Sequence, residues 1–505
     1  MKIGLISPYP DLVSFGVRIL SACLKEDGHN VKIIFLPNDF WVKYSDSVLE
    51  NTVCLLKDVD LIGISLMTNF FDNCIQVTQK LKKYLKAPIV WGGVHPTLCP
   101  EECLNYADIV CVGEAEETIV ELARRMEEGK DYRDVPGTCL KDKEKIIFNK
   151  IRPLIQDLDS IPFQDYDPDT HYVISNRGIG RMSESLLKKY CRGNYVTLPT
   201  RGCPFGCSYC CNNVYNNMYV NQKIVRQRSI NNILQELIQV KNNLGGLECV
   251  YFDDDAFFLY STEQFKEFCS EYKKNIKLPL MVTGVTPATL TREKLSLLVD
   301  AGLSFIRMGV QSGSERIKKL YKRNYSNRQV EDSARIINEF KDKIGSPQYD
   351  IILDNPWETD EEIIETLMFL TKLPAPYRIG IYSLTLYPKT ELYEKAKREG
   401  MIGDDLKDIY RKYYNGPKAT YLNKLIFLLN ASMGRLPARA IVLLTDKNLR
   451  KLKLNWLLYW GLVLRYASPF RLLTEGIKDI RKNDFFRMKR WFSKLNPFTI
   501  RGYLR

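Results

Sequence analysis

Four of the chain's 14 cysteines fall within nine positions, Cys203, Cys207, Cys210 and Cys211, in the stretch LPTRGCPFGCSYCCNNVY from Leu198 to Tyr215. Cys203, Cys207 and Cys210 have C-x3-C-x2-C spacing, on a loop directly after an apolar strand-like run. Gly202, Pro204 and Gly206 let the backbone turn tightly enough to aim three sulfurs at one point. Converging thiolates are metal ligands, and a closed zinc site or a fully ligated 4Fe–4S cluster takes four protein ligands. Cys211 adjoins Cys210, and sequence neighbours do not easily reach one centre together. The ladder therefore stops one ligand short, and a metal with an open corner can bind a small molecule. Zinc or free thiols are the alternatives at this point.

Such residues need elements to position them. In residues 1–145 the runs KIGLISP, NVKIIFLP, DLIGISLM, APIVWGG and ADIVCVG read as strands that alternate with helical patterns, one of which ends at Gly28. Near-continuous apolar strands in that rhythm predict an α/β fold, a doubly wound, Rossmann-like parallel sheet. Ligands of such sheets sit beyond the carboxyl ends of the strands. Those ends are Ser7 to Gly16, Ser65 to Asn69, Gly92 to Thr97 and Gly113 to Glu116. Residues 146–190 are punctuated by prolines and aspartates and read as a linker over the surface. From 191 to 400 six further strands are expected in NYVTLPT, LECVYFDD, LPLMVTG, FIRMGVQ, YDIILD and IGIYSLTLYP. Six βα-type units of that length suit a partial (β/α)6 barrel of TIM type.

The three-cysteine loop after the first barrel strand, with aromatic Tyr209 before the last cysteine, resembles the signature of the radical S-adenosylmethionine (SAM) enzymes. The resemblance covers Cys191 to Gly400. It implies a 4Fe–4S cluster on Cys203, Cys207 and Cys210, with SAM chelated at the open iron and cleaved to a 5′-deoxyadenosyl radical. It also implies an external electron donor such as flavodoxin or ferredoxin. Later stretches resemble the same family. VYFDDDAF offers Asp253, Asp254 and above all Asp255 to the SAM amino group or ribose, a helix N-cap being the alternative. GVQSGSERI places Gln311, Ser312 and Glu315 at a strand end, with a capping box from Ser312 to Glu315 as the alternative. The Pro356–x–Glu358–Thr359 turn reads as structural, and Tyr387 in LYPKTELY is the expected adenine contact.

VWGGVHPTLCPEECLNYADIVCVGEAEET resembles the cobalamin-binding domain fused ahead of one large branch of these enzymes. Gly92 and Gly93 remove side chains where a broad flat ring could lie. Ser65 and Thr68 offer hydroxyls to the nucleotide tail, and Gly113 and Glu114 close the opposite lip. Mutase-type cobalamin domains take a lower axial histidine from an Asp-x-His-x-x-Gly loop, but here DLVSFG has Val13 at that place. The chain holds His29, His95 and His171, of which His95 stands at a strand end near the expected site, as a contact or as a hydrogen-bonded support. Cobalamin without a histidine ligand from this loop is the expectation. A domain that keeps the fold without the corrinoid is the alternative.

The net charge of +13 is uneven: from Met401 on there are 22 Lys and Arg against 7 Asp and Glu, while the rest of the chain carries 51 and 53. Residues 401–505 read as a basic helical region. Two apolar runs, YLNKLIFLLNASM and NWLLYWGLVLRYA, are too short to cross a bilayer of roughly 30 Å. Lys451, Lys453, Trp456, Tyr459, Trp460 and Arg465, followed by IRKNDFFRMKRWFSKLNPF, fit docking to an anionic membrane surface. A helical cap on the barrel is the alternative, and nucleic acid is not expected. Scattered single cysteines and no signal-peptide pattern point to a cytoplasmic chain, peripheral at the inner membrane face if it docks. The resemblance implies a cobalamin-dependent C-methyltransferase acting on an unactivated carbon of a lipid or other membrane-associated metabolite. A radical cyclase or rearrangement enzyme, and a non-catalytic cobalamin or redox sensor, are the other readings.

Overall fold

The computed structural model describes residues 1–462 except 144, 176, 177, 192, 452–455 and 457. The chain forms two compact units. One comprises Met1–Ala256, Ser270–Pro279 and Thr385–Lys412, the other Phe257–Cys269, Leu280–Leu384 and the described residues from Tyr413 on.

The first unit is built on a sheet of nine strands: β1 (Lys2–Ser7), β2 (Asn30–Phe35), β3 (Leu61–Ser65), β4 (Ile89–Gly92), β5 (Ile109–Cys111), β6 (Thr138–Asp142), β7 (Lys145–Phe148), β8 (His171–Ser175) and β9 (Gly178–Arg181). Their order is β7-β6-β5-β4-β3-β1-β2-β8-β9. The five strands read from the sequence are β1 to β5, all paired parallel. Their sides are buried on both faces, as in the run Gly4 to Ser7, which is why they read as unbroken apolar stretches rather than as alternation. The helix Phe15–Glu26 between β1 and β2 ends at Gly28, whose φ of 86° only glycine adopts readily.

Residues 146–190 differ from the expected linker. β8 pairs parallel with β2, from Ile33↔His171 to Phe35↔Val173, and β9 returns antiparallel beside it. The prolines do break the stretch between Arg152 and Pro168, but beyond them Tyr172 and Val173 continue the sheet. The unit also holds β10 (Asn194–Thr197) and β13 (Cys249–Phe252), a parallel pair, and the two-residue strands β11 (Thr200–Arg201) and β12 (Arg226–Gln227), an antiparallel pair.

The second unit contains β14 (Leu280–Val285), β15 (Leu303–Gln311), β16 (Gln348–Leu353) and β17 (Arg378–Ser383), parallel throughout. All six barrel strands expected from the sequence are thus present. The Pro356–x–Glu358–Thr359 turn leads into the helix Asp360–Leu370, where Thr359 and Glu362 form a reciprocal capping box.

The first apolar run of the basic region is not a free membrane face. It forms the helix Tyr421–Ala431, capped by Thr420, with Leu422, Leu425, Ile426, Leu428 and Leu429 buried in the second unit. Its apolar residues recur at helical spacing on a side that the unit covers. Of the second run, Trp456 and Trp460 are exposed and Lys424 lies 5.2 Å from the Trp456 ring. Lys453, Arg465 and the stretch IRKNDFFRMKRWFSKLNPF lie outside the described residues. Among the described residues no helix is long and apolar enough to cross a membrane.

Candidate functional site

The cysteine loop leaves the fold at Arg201 and re-enters it at Arg226, two residues that face each other across β11 and β12. Both roots are held by one carboxylate from the end of β5. Glu114 Oε1 accepts from Arg201 Nη1 at 3.2 Å and from Arg226 Nη1 at 2.8 Å, and its Oε2 accepts from the Ile155 amide at 2.9 Å. Glu116 takes the second Arg201 nitrogen at 2.6 Å. Burial works against the Glu116 charge, yet the Arg201 guanidinium holds its carboxyl below the usual range. Arg226 is almost fully buried and also donates to the Ile155 carbonyl at 2.9 Å. Asp254, at the end of β13, accepts from the Thr200 amide, the Thr200 hydroxyl and the Ala256 amide. Burial pushes its carboxyl up to about 6. Asp254 is therefore a clamp on the loop root, not a ligand contact.

Within the loop, Gly202 has φ 85° and a Cβ there would collide with the Ile224 carbonyl oxygen, so only glycine passes. The Cys210 amide donates to Cys207 O at 3.1 Å, and Asn216 Nδ2 donates to Cys203 O at 3.0 Å. Cys210 is the N-cap of the helix Cys211–Met218 but spends no side-chain bond on it. Burial pushes the Cys203 thiol up to about 12, with the charge of Asp255 adding to it and then Cys210 and Cys207. Burial keeps the proton on Cys203, and an arriving cation is what would draw it off. The residues fit a cluster held on three sulfurs.

A cavity of about 380 Å³ opens within the first unit. It is bordered by Ser65, Gly92, Gly93, Gly113 and Glu114 from the strand ends and by Arg201, Gly202, Asn212, Asp253 and Asp255 from the cysteine loop and the end of β13, with Phe15, Ile19, Leu20 and Leu198 among its apolar wall. Gly93 has φ 106° and a Cβ there would come within 2.9 Å of Leu66 O; at Gly113, φ 87°, a Cβ would run into the Tyr219 hydroxyl. The strand-end side is thus backbone at Gly92 and Gly93, with the Tyr219 hydroxyl standing against Gly113, and the two glycines leave the room a broad, flat group needs. Ser65 Oγ lies 3.0 Å from Tyr9 Oη, and Asn212 Nδ2 donates to Asp255 Oδ2 at 2.8 Å.

Several expected residues stand elsewhere. Thr68 is buried and its hydroxyl lies 3.2 Å from His95 Nδ1, so neither borders the cavity; a helical turn after β4 carries His95 away from it. His29 packs against the chain's amino terminus and His171 against Asp165. Tyr387 Oη donates to Asn69 Oδ1 at 3.1 Å. Tyr209 is half-buried in the turn of the cysteine loop. In the second unit Gln311 ends β15 with φ 68°. Ser312 is buried, its Oγ 3.1 Å from Thr366 Oγ1 and accepting from the Ser314 amide. The expected Ser312–Glu315 capping box does not form: Ser314 is the N-cap, and Glu315 binds Lys318 Nζ at 2.8 Å and the Asn327 amide. Sequence reasoning missed Arg201, Arg226, Tyr215 and Tyr219. The one signal for Arg201 is a charge set directly before the glycine of the loop; its partner is 87 residues away.

Residues 197–370 match the Radical SAM superfamily and residues 1–123 the B12 binding domain. An uncharacterized methyltransferase of Pyrococcus horikoshii is 26% identical over 411 residues, 79% of this chain and 81% of that protein. The bacteriochlorophyllide d C-8(2)-methyltransferase of Chlorobaculum tepidum is 22% identical over 435 residues, 82% and 86% of the two chains. The cobalamin-dependent S-adenosylmethionine radical enzyme OxsB, solved with aqua-cobalamin and S-adenosylmethionine, shares the fold with a TM-score of 0.64 at 15% identity, over 98% of this chain and 84% of that one.

Proposed function

This chain belongs to the radical SAM superfamily and carries a B12-binding domain, and we propose that it is a methyltransferase acting on an unactivated carbon of an apolar, lipid-like metabolite. It is an enzyme whose cofactors are a 4Fe–4S cluster, SAM and cobalamin. When bound, the cluster supplies the electron that opens SAM and cobalamin supplies the methyl group. The observation that carries the reading is that one cavity is bordered both by the glycine cradle at the ends of β4 and β5 and by the roots of the cysteine loop. Such a space holds a donor and an acceptor carbon together, so that reaction does not wait on diffusion. Its apolar wall supports an apolar substrate, and the two relatives named as methyltransferases support methyl transfer.

In this reading Cys203, Cys207 and Cys210 hold the cluster, and Asp255, at the border of the cavity, contacts SAM. Ser65, Gly92, Gly93, Gly113 and Glu114 take the corrinoid, while Ser312 and Glu315 hold the turn after β15. The matching domain organisation is 1–145 for cobalamin, 191–400 for cluster and SAM, and 401–505 as a basic region. Anaerobically reconstituted enzyme, given reductant, SAM and a lipid extract, should form 5′-deoxyadenosine, S-adenosylhomocysteine and a product heavier by one CH2. A product of unchanged mass would replace methyl transfer by rearrangement; no 5′-deoxyadenosine at all would end the enzymatic reading. Docking to anionic vesicles should weaken when Arg481, Lys482, Arg487, Lys489 and Arg490 are exchanged for serine in the full chain. Equal sedimentation of both proteins with the vesicles would remove the membrane from the proposal.

A further inference from the structure

The stretch after β4 that carries His95 away from the cavity brings it to two other metal-ligating side chains. His95 stands in the short helix Val94–Leu98, Glu102 in the short helix Pro100–Cys103, and Cys99 is the residue that joins them. Their ligand atoms all lie within 4.8 Å of one another. A tetrahedral zinc ion with bonds of about 2.0–2.3 Å needs its ligands about 3.5 Å apart, a closure that small side-chain rotations supply.

The histidine is what points to a ligand. It is 0% exposed, and its Nε2 has no hydrogen-bond partner. Glu102 Oε2 is 3.4 Å from that nitrogen, near enough to attract a cation but without hydrogen-bond geometry. A buried ring nitrogen left without a bond is costly unless something fills the place. The other ring nitrogen, Nδ1, lies 3.2 Å from the Thr68 hydroxyl. With Nδ1 donating there, Nε2 presents its lone pair towards Cys99 and Glu102, the arrangement of a metal-binding imidazole steadied from behind. Phe71 and Tyr410 fix the ring plane from the sides, each with its centroid 4.9 Å away. The Tyr410 hydroxyl donates to Glu102 Oε2 at 2.7 Å and so orients the carboxylate. The Glu102 side chain is 38% exposed, which leaves an entry path and room for a water as fourth ligand.

We propose that His95 Nε2, Cys99 Sγ and the Glu102 carboxylate form a zinc site, separate from the cysteine loop and independent of the reaction assigned above. A nitrogen, sulfur and oxygen set suits a borderline ion such as zinc better than magnesium or calcium, which take oxygen alone. The ion would staple the turn that follows the Gly92–Gly93 cradle.

The test uses the full-length protein with its cluster reconstituted, zinc alone as probe, and two readouts: bound zinc by mass spectrometry and zinc-edge X-ray absorption. One zinc per chain with a single sulfur neighbour is expected. Cys99→Ser should remove the sulfur neighbour and weaken binding more than about tenfold, and Tyr410→Phe should weaken it about tenfold, both with iron content unchanged. Glu102→Gln, at a partly exposed side chain, gives the same comparison should Cys99→Ser fail to fold. No bound zinc, zinc held equally by Cys99→Ser or Glu102→Gln, or zinc surrounded by three or more sulfurs, would overturn the site.

Discussion

Glu114→Ala removes the carboxylate that holds both roots of the cysteine loop. Among the described residues Arg226 then keeps only the Ile155 and Ile224 carbonyls as partners, at 2.9 and 3.3 Å, in a nearly fully buried position. Arg201 keeps Glu116. The four charges were balanced two against two, and the variant leaves one buried cation over. Breaking a buried pair from one side costs about 3–5 kcal/mol, because the remaining charge stays desolvated. At about 2–4 °C per kcal/mol for a body of this size, the melting temperature of the first unit should fall on the order of 10 °C. Glu114→Gln keeps the shape and one acceptor and should cost less, about 1.5–3 kcal/mol, the value of hydrogen bonds to a charged group. The decisive arm is Glu114→Ala combined with Arg226→Met. Removing the stranded cation should make the double variant at least about 1 kcal/mol more stable than the two single effects added together. Thermal and urea unfolding followed by circular dichroism, on protein without cofactors, measure these three and the Arg226→Met single variant. A loss under about 1 kcal/mol for Glu114→Ala, or strict additivity in the double variant, would refute the reasoning that this network is a buried, mutually dependent tie.

Replacing Cys203, Cys207 or Cys210 by alanine should abolish the iron–sulfur absorbance and bound iron after reconstitution, while Cys211→Ala, whose residue opens a helix, should keep both. Burial and the nearby Glu362 charge push the Glu358 carboxyl up to about 8, so the folded chain binds the proton more tightly than the unfolded one. The stability this gives is full below the ordinary glutamate pKa and is lost as pH rises through about 8, and Glu358→Gln should flatten that slope in urea midpoints. Thr359→Ala removes the capping box of the helix Asp360–Leu370 and should cost about 1 kcal/mol in the same assay. Gly93→Ala forces a side chain into a backbone at φ 106° and should lower the cobalamin retained on gel filtration severalfold without loss of bound iron.

The sequence made the strands legible because β1 to β5 and the six later ones are short apolar runs closed by glycine, proline or aspartate. It also made the cysteine loop legible, since ligand spacing within eight residues is a local property. What it hid is what depends on distant partners. β6 to β9 are only four or five residues long with no apolar/polar alternation, so neither period nor hydropathy marked them, and β8 is a strand because β2 offers it an edge. His95 read as a cofactor contact because it follows a strand end, but one helical turn rotates it into the Phe71–Tyr410 pocket. Asp253, Asp254 and Asp255 are indistinguishable as letters; the turn that leaves β13 buries the middle one against Thr200 and leaves its neighbours at the cavity. The run YLNKLIFLLNASM was read by its composition, and composition alone does not tell a buried helix from one that lies on lipid.

The pairing of β8 with β2 bears on how this protein is made. A fragment cut where the B12-binding match stops, at residue 123, would expose the outer side of β2, with its amides and carbonyls along Val31, Ile33 and Phe35 open to any passing strand. A ribosome must therefore release some sixty further residues, through Arg181, before this half of the molecule can shield itself. Expressed alone, the matched segment would carry that open edge into solution as a site for aggregation, and a hairpin kept with it would close it.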